Sequence, residues 1–226
     1  MPAAVITGAS AGLGRALAAA LVRREWTVLG TGRGEAALRA AADELGFTAV
    51  PGDVTDPVHR AALAEAAGPR LDLLVNNAST LGVSPLPPLG DYPDDELQAV
   101  FRTNVFAPLG LARLLLPALT AARGTLVSVS SDAAVEPYEG WGAYGSAKAA
   151  LDHATAVLGV ENSALAVYAV DPGDLRTAMH QLAFPGEDIS DRPLPETAVP
   201  AFLRLLDERP PSGRYRAAEL LEAVRP

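Results

Sequence analysis

The chain has 226 residues, with 18 basic and 27 acidic side chains, a formal net charge of −9 and no cysteine. Its apolar fraction of 49% is typical of a folded globular protein and excludes global disorder. The lack of cysteine excludes disulfides and thiolate metal sites, and the negative charge argues against a protein that binds DNA or RNA.

Apolar runs alternate with helical patterns along the chain. Strands are predicted at residues 3–7, 26–30, 47–50, 71–76, 124–130 and 165–170. Helices are predicted at residues 15–24, 35–45, 57–67, 94–122, 145–158 and 196–207. The stretch 94–122 is read as one helix or two, with Pro108 and Pro117 as expected kinks or breaks. Residues 212–224 predict a short strand and a final helix.

Repeated strand–helix–strand units predict an α/β fold, a doubly wound parallel sheet of the Rossmann type with helices on both faces. We expect one domain over residues 1–226, and a mobile lid at 178–200, where proline and glycine break the pattern. The longest apolar stretches are interrupted by Arg or Asp, so no membrane span is expected. Without a basic N-terminal region, a cytoplasmic protein is expected.

The sequence TGASAGLG at 7–14 lies between the first predicted strand and helix. The N–H groups of a helix N-terminus suit a pyrophosphate, and glycine lets the ligand approach the backbone. The same letters contain Gly8-Ala9-Ser10-Ala11-Gly12, the G-x-S-x-G pattern of a hydrolase nucleophile. Its position after the first strand favours phosphate binding. An α/β-hydrolase that uses Ser10 is the alternative.

The second strand ends at Thr31-Gly32-Arg33, without the acid that holds the ribose of NAD. Arg33 can instead pair with a 2′-phosphate, which a carboxylate would repel. NADP(H) is therefore the preferred cofactor, with NAD(H) as the other candidate. The three histidines, His59, His153 and His180, lack metal-ligand spacing, so no metal is predicted.

Tyr144 and Lys148 lie four residues apart, on one face of a predicted helix. A nearby ammonium is expected to lower the pKa of the phenol, so that Tyr144 can protonate a carbonyl oxygen. Polar or glycine-rich segments follow three other strands, at 76–78, 130–131 and 171–173. Because parallel strands end at one edge of a sheet, we expect these segments to form one site.

Together these motifs resemble those of the short-chain dehydrogenase/reductase family. The resemblance rests on the TGASAGLG turn, Asp53-Val54, NNAS at 76–79, Asn104 in RTNVFAP, the 13-residue spacing from Ser131 to Tyr144, and PGDLRT at 172–177. The chain departs from the family pattern at Ser79, where the family usually has glycine, and is somewhat short.

The resemblance implies a role for each matching residue. Tyr144 would be the acid/base, Lys148 would lower its pKa and hold the nicotinamide ribose, and Ser131 would orient the carbonyl. Asn104 would hold a water in a proton relay, and Ser10 and Arg33 would bind the 2′-phosphate. The implied cofactor-binding residues are Gly8, Ser10, Gly12, Leu13, Gly14, Arg33, Asp53, Val54, Asn77, Ala78, Tyr144, Lys148, Pro172, Gly173 and Thr177.

A finer resemblance, over 137–153 and 171–180, is to sepiapterin and benzil reductases. It implies a vicinal diketone, or an oxo group beside an aromatic or pterin ring. The expected substrate pocket consists of Tyr138, Trp141, Leu175, Met179 and Phe184. The predicted function is NADPH-dependent reduction of a small carbonyl compound. A non-catalytic NADP-binding protein is the weaker alternative, since Tyr144 and Lys148 are both present. A homodimer or homotetramer is also implied.

Overall fold

The computed structural model describes residues 1–222; residues 223–226, which include the last two residues of the predicted final helix, lie outside the described residues. All seven strands within it pair in one parallel sheet, in the order β3-β2-β1-β4-β5-β6-β7. The strands are β1 (Ala3–Thr7), β2 (Thr27–Gly32), β3 (Thr48–Pro51), β4 (Leu73–Asn76), β5 (Thr125–Val129), β6 (Ala166–Asp171) and β7 (Gly213–Arg216). The predicted doubly wound sheet is confirmed, and the strand order reverses between β1 and β4.

The helices cover both faces of this sheet. They are α1 (Gly12–Arg23), α2 (Glu35–Leu45), α3 (Pro57–Ala67), α4 (Asp94–Phe101), α5 (Ala107–Ala122), α6 (Gly142–Glu161), α7 (Ala178–Ala183), α8 (Val199–Glu208) and α9 (Ala217–Glu222). On one face, α1, α2 and α8 bury apolar side chains against the sheet. On the other face, α3 and α5 do so.

Successive residues of β1 show how the two cores form. Ala4 and Ile6 belong to one core, whereas Val5, between them, belongs to the other. Side chains alternate across a strand, so a strand that is covered on both faces must be apolar throughout. This is why β1, β4 and β6 appear in the sequence as unbroken apolar runs. The covered faces leave the strand ends as the place for a site.

The stretch 94–122 forms one helix, because α4 continues through a π-helical turn, Arg102–Phe106, into α5. The expected break at Pro117 is wrong, since the helix passes through that residue. Pro108 lies just after the π turn, in the first turn of α5, and has no backbone N–H to donate to the turn before it. The wider turn accommodates the proline without ending the helix.

One helix bears on the expectation of no membrane span, which rests on the Arg and Asp residues that interrupt the apolar stretches. The helix Asp94–Ala122 is long and apolar enough by length and composition alone. Arg113 interrupts the sequence pattern without lowering the average hydropathy below that of a span. Within the fold, Leu111, Leu115 and Leu119 of this helix are buried against the sheet, as in the core helix of a globular protein.

Candidate active site

A cleft of about 840 Å³ opens at the carboxyl ends of the strands. It is lined by every residue predicted for the site except Gly14 and Asn104. Arg33 lies at one end, beside the turn after β1, and Phe184 lies among the residues that follow β6. The predicted convergence of strand ends therefore brings the candidate catalytic, cofactor and substrate residues to one place.

The turn between β1 and α1 presents bare backbone to the cleft. Gly8 and Gly12 have φ values of +70° and +55°, which side chains rarely adopt. No side chain caps α1 and no acid lies in its first turn, so its first N–H groups are available to an anion. Gly14 does not line the cleft; a Cβ there would lie 2.3 Å from the Gly8 carbonyl oxygen. Gly14 thus serves close packing of the turn.

Thr7 and Asn77 hold this turn against the end of β4. The Thr7 hydroxyl accepts from the backbone N–H groups of Asn77 and Ala78, at 2.9 Å each. The Asn77 amide donates to the carbonyl oxygens of Thr7 at 2.8 Å and Gly8 at 3.3 Å. These bonds consume the amide hydrogens of Asn77. Its role at the cofactor site is to fix the turn.

Ser10 and Arg33 occupy the end of the cleft beside β2. The Ser10 hydroxyl lies close to Gly32, where a Cβ would be 3.4 Å from it. Arg33 forms no ion pair with any residue in 1–222. Within the same residues, no histidine hydrogen-bonds Ser10, so the geometry shows no activated serine nucleophile of the hydrolase type.

Tyr144 projects from the first turns of α6 and is 6% exposed. Burial raises the pKa of its phenol well above the ordinary value, and the hydroxyls of Ser79 and Ser131 partly oppose this by hydrogen bonding. Asp132 and Asp171 raise the pKa further. Burial dominates this shift, and the Lys148 ammonium lies over the ring, 5.5 Å from its centroid; its expected lowering of the pKa stays a prediction.

Lys148 lies one turn further along α6 and is 2% exposed. Its Nζ donates to the carbonyl oxygen of Val129 at 2.7 Å, which fixes the ammonium at the end of β5. Burial lowers the pKa of Lys148 to about 8, and the charge of Asp152 opposes this. Lys148 is also the only lysine in the sequence.

Asn104 is fully buried in the π turn and faces the loop after β4. Its Oδ1 accepts from the Ser79 hydroxyl at 3.1 Å and from the Thr80 N–H at 2.9 Å. Its Nδ2 donates to the Thr80 carbonyl oxygen at 2.8 Å. The side chain therefore anchors the loop, and the water-holding role inferred from the resemblance stays a prediction.

A cluster of three charged side chains, Arg214, Asp152 and Asp171, lies at the strand ends that carry the candidate catalytic residues. Arg214, on β7, donates to Asp152 Oδ2 at 3.0 Å and to the Ser131 carbonyl oxygen at 2.9 Å. It also lies 3.4 Å from Asp171 Oδ2, at the end of β6. The Ser130 hydroxyl donates to Asp152 Oδ2 at 2.7 Å. One guanidinium, on β7, thus links the ends of β5 and β6 with α6.

The part of the cleft beyond Tyr144 has an aromatic wall. The rings of Trp141 and Tyr144 meet edge to face at 5.8 Å, and Trp141 and Phe184 lie 6.3 Å apart. His180 stacks on Phe184 at 5.0 Å. Tyr138 lies at the rim and donates to Asp132 Oδ2 at 3.0 Å. Leu175 and Met179 complete the predicted pocket.

Four residues at the site were not predicted from the sequence to belong to it: Ser79, Asp132, His180 and Arg214. The sequence does mark Ser79, which replaces the glycine usual in the family. Asp132 could have been noticed because it follows Ser131 directly. His180 ends the segment 171–180, which resembles sepiapterin and benzil reductases, and it lines the cleft with Phe184. Arg214 carried no local signal, since its partners Asp152 and Ser131 are 62 and 83 residues away.

Comparisons with known proteins agree with this geometry. A family model described as short chain dehydrogenase matches residues 2–188. A sepiapterin reductase from Xenopus laevis is 34% identical over 229 residues, covering 92% of this chain and 83% of its own length. A benzil reductase from Saccharomyces cerevisiae is 32% identical over 234 residues, covering 96% and 84%.

A solved structure is also similar: a short chain dehydrogenase from Shigella flexneri complexed with NADP. It superposes with a TM-score of 0.89 and 32% identity, covering 96% of this chain and 97% of that one. The chain spans only 60% of the length of a serine 3-dehydrogenase from Agrobacterium fabrum, with which it is 41% identical over 155 residues.

Proposed function

The chain belongs to the short-chain dehydrogenase family and is an oxidoreductase, and from this we propose that it reduces a small carbonyl compound with NADPH. The observation that carries the proposal is the position of Tyr144. Its phenol lines a cleft of about 840 Å³ together with Ser79 and Ser131, whose hydrogen bonding lowers its pKa, and the Lys148 ammonium lies over its ring.

The cleft fits a nicotinamide dinucleotide with a 2′-phosphate. The bare turn at Gly8 and Gly12 and the uncapped start of α1 would hold the pyrophosphate. Ser10 and the unpaired Arg33 would hold the 2′-phosphate, with Asp53 and Val54 beside the adenine. When bound, the reduced nicotinamide supplies the hydride and is itself oxidised.

Tyr144 supplies the proton that the reduction requires. Its raised pKa keeps the phenol protonated at neutral pH, in the form that can act as an acid. The phenolic O–H bond breaks as the proton moves to the carbonyl oxygen, which becomes the hydroxyl of the alcohol. Tyr144 is left as a phenolate beside the Lys148 ammonium. Ser131 orients the carbonyl, and Lys148 also holds the nicotinamide ribose.

The substrate we propose is an uncharged aromatic carbonyl compound, such as a vicinal diketone or an oxo group beside a ring. The edge of Trp141 and the ring of Phe184 suit a planar ligand. Asp132 and Asp174 line the same part of the cleft, which disfavours anionic substrates. The printed activities of the sepiapterin and benzil reductase relatives agree with this class.

We also propose a cytoplasmic location and a homodimer or homotetramer. The cysteine-free composition suits a reducing compartment. Apolar side chains exposed on the long helix and on α6 support association of copies; they are Phe106, Leu114, Val157 and Val160.

The first experiment is a fluorescence titration of the protein with NADPH and NADH, followed by NADPH oxidation assays with benzil. Tighter binding of NADPH and consumption of benzil are the expected results. A protein that binds neither dinucleotide contradicts the proposal. Equal binding of both dinucleotides would be compatible with reductase activity but would contradict the proposal that Ser10 and Arg33 bind a 2′-phosphate. Replacement of Tyr144 by phenylalanine should abolish turnover while NADPH still binds.

A further inference from the structure

Two hydroxyls flank the phenol of Tyr144, and the catalytic set inferred from the sequence contains only that of Ser131. We propose that Ser79 is a second catalytic hydroxyl, which donates a hydrogen bond to the phenolate that Tyr144 becomes after giving up its proton. The inference rests on the acid role proposed above for Tyr144. It concerns a residue at which this chain differs from the family's usual glycine.

The structure holds the two serines in similar ways. The Ser131 hydroxyl donates to Asp132 Oδ1 at 3.0 Å, and the Ser79 hydroxyl donates to Asn104 Oδ1 at 3.1 Å. Both serines line the cleft with Tyr144, and hydrogen bonding by their hydroxyls lowers the pKa of its phenol. Since a hydroxyl rotates about its C–O bond, each serine has two alternative acceptors.

The charge on Tyr144 determines which acceptor Ser79 prefers. While the phenol is protonated, the amide oxygen of Asn104 is a sufficient acceptor. When the proton has moved to the substrate oxygen, the phenolate carries a full negative charge and is the stronger acceptor. The Ser79 hydroxyl then turns to Tyr144. This stabilises the phenolate, which accompanies the alcohol product.

Asn104 allows this rotation without an unpaired buried group. Its Oδ1 still accepts the hydrogen bond from the Thr80 N–H at 2.9 Å, and its Nδ2 still donates to the Thr80 carbonyl oxygen at 2.8 Å. Asn104 is fully buried in the π turn, so it also fixes the Ser79 oxygen beside the phenol. The loss of one hydrogen bond at Asn104 is offset by a charge-assisted one at Tyr144.

Other charged groups that face Tyr144 are unchanged in a Ser79 variant. Lys148 lies on the same helix, Asp132 follows β5 and Asp171 ends β6. A change in the titration of Tyr144 on replacing Ser79 therefore reports the hydroxyl itself, provided that NADP⁺ binds the variant as it binds the wild type.

The test compares Ser79→Gly and Ser79→Ala with Ser146→Ala. Ser146 lies on α6, two residues after Tyr144, but its hydroxyl donates to the helix backbone and the residue does not line the cleft. Tyrosine ionisation is followed by ultraviolet absorbance in the NADP⁺ complex, and subtraction of the Tyr144→Phe curve isolates Tyr144. We expect the midpoint to rise by about one pH unit without the Ser79 hydroxyl, because a hydrogen bond to a charged group is lost.

Benzil reduction gives the second measurement. The turnover number of Ser79→Gly should fall about tenfold with little change in KM, while Ser79→Thr, which keeps a hydroxyl, retains the wild-type titration. Turnover that falls with an unchanged titration would mean a structural role and would overturn the proposal, as would a Ser79→Gly protein that matches the wild type in both measurements. A Tyr144→Phe protein that remains active would instead refute the acid role itself.

Discussion

The ammonium of Lys148 lies 5.5 Å from the centroid of the Tyr144 ring, and both side chains are almost completely buried. Their burial acts on the two pKa values in opposite directions, raising that of the phenol and lowering that of the ammonium. Both shifts favour the neutral forms, so the site disfavours charge unless a ligand or a neighbour compensates it. Burial of the Lys148 ammonium therefore carries a cost in folding free energy.

Replacement of Lys148 by methionine should stabilise the fold while it abolishes turnover. The pKa of Lys148 is about 8 in the folded protein and 10.5 ordinarily. Below pH 8 the ammonium is charged in both states, and its burial costs about 3 kcal/mol. About 1 kcal/mol is lost with the hydrogen bond to Val129, so we expect a net gain of about 2 kcal/mol at pH 7.

The same pKa values fix the pH dependence of that gain. Between pH 8 and 10.5 the unfolded chain holds more protons than the folded one, so wild-type stability rises with pH. Urea unfolding at pH 7 and pH 10 should show the advantage of Lys148→Met shrinking. Since Lys148 is the only lysine, ¹⁵N-lysine labelling gives one side-chain resonance whose titration midpoint should lie near 8. A midpoint above 10 would contradict the argument.

Arg33→Ala should weaken NADPH binding about tenfold or more and leave NADH binding nearly unchanged, because in the proposed site the guanidinium would contact only the 2′-phosphate, which NADH lacks. Arg39→Ala is the matched control, since Arg39 is exposed on α2 and pairs only with Glu35 among the described residues. Fluorescence titrations with both dinucleotides decide the question. An equal loss for NADPH and NADH would remove Arg33 from the 2′-phosphate site.

The strand ends, the cofactor turn and the Tyr144–Lys148 pair could be predicted because each is a local pattern with a known place in a parallel sheet. The side chains that share hydrogen bonds with them could not. Arg214 reaches Ser131 from 83 residues away, and nothing around 214 indicates this contact. The effect of burial on the pKa of Tyr144 could not be predicted either, because burial depends on the whole packed cleft.

Gly14→Ala should destabilise the turn and weaken cofactor binding, although Gly14 does not line the cleft. The added Cβ would lie 2.3 Å from the Gly8 oxygen and 2.5 Å from Asn77 Nδ2, so the turn must shift. We expect a loss of about 2 kcal/mol in unfolding free energy. Gly90→Ala is the control, because a Cβ there would meet no atom within 4 Å. Equal stability of the two variants would show that the turn can relax.

NADPH should slow hydrogen exchange across residues 178–200, the predicted lid. α7 has no buried residue, yet Met179, His180 and Phe184 line the cleft, so this helix would gain contacts when the cleft is filled, whereas Ala198 and Val199 are already buried. The buried helix α5 serves as the internal control. If exchange at 178–200 is the same with and without NADPH, the segment is not a lid closed by the cofactor.

Arg214→Leu should destabilise the protein by about 3 kcal/mol, because it removes the ion-pair partner of Asp152 and the nearer of the two cations beside Asp171. The side chain of Asp171 is 4% exposed and that of Asp152 is 13% exposed, so neither charge can be fully rehydrated in the fold. Arg216→Leu is a matched control on the same strand; Arg216 is 59% exposed and should cost less than about 1 kcal/mol.

The double variant Arg214→Leu with Asp152→Asn tests the coupling directly. Removing the carboxylate charge together with the guanidinium relieves the unpaired burial, so the double variant should lose less stability than the two single changes added together. Urea unfolding of the four proteins gives the coupling energy. Strict additivity would mean that Arg214 supports the strand ends through the Ser131 carbonyl and Asp171, without a contribution from its ion pair with Asp152.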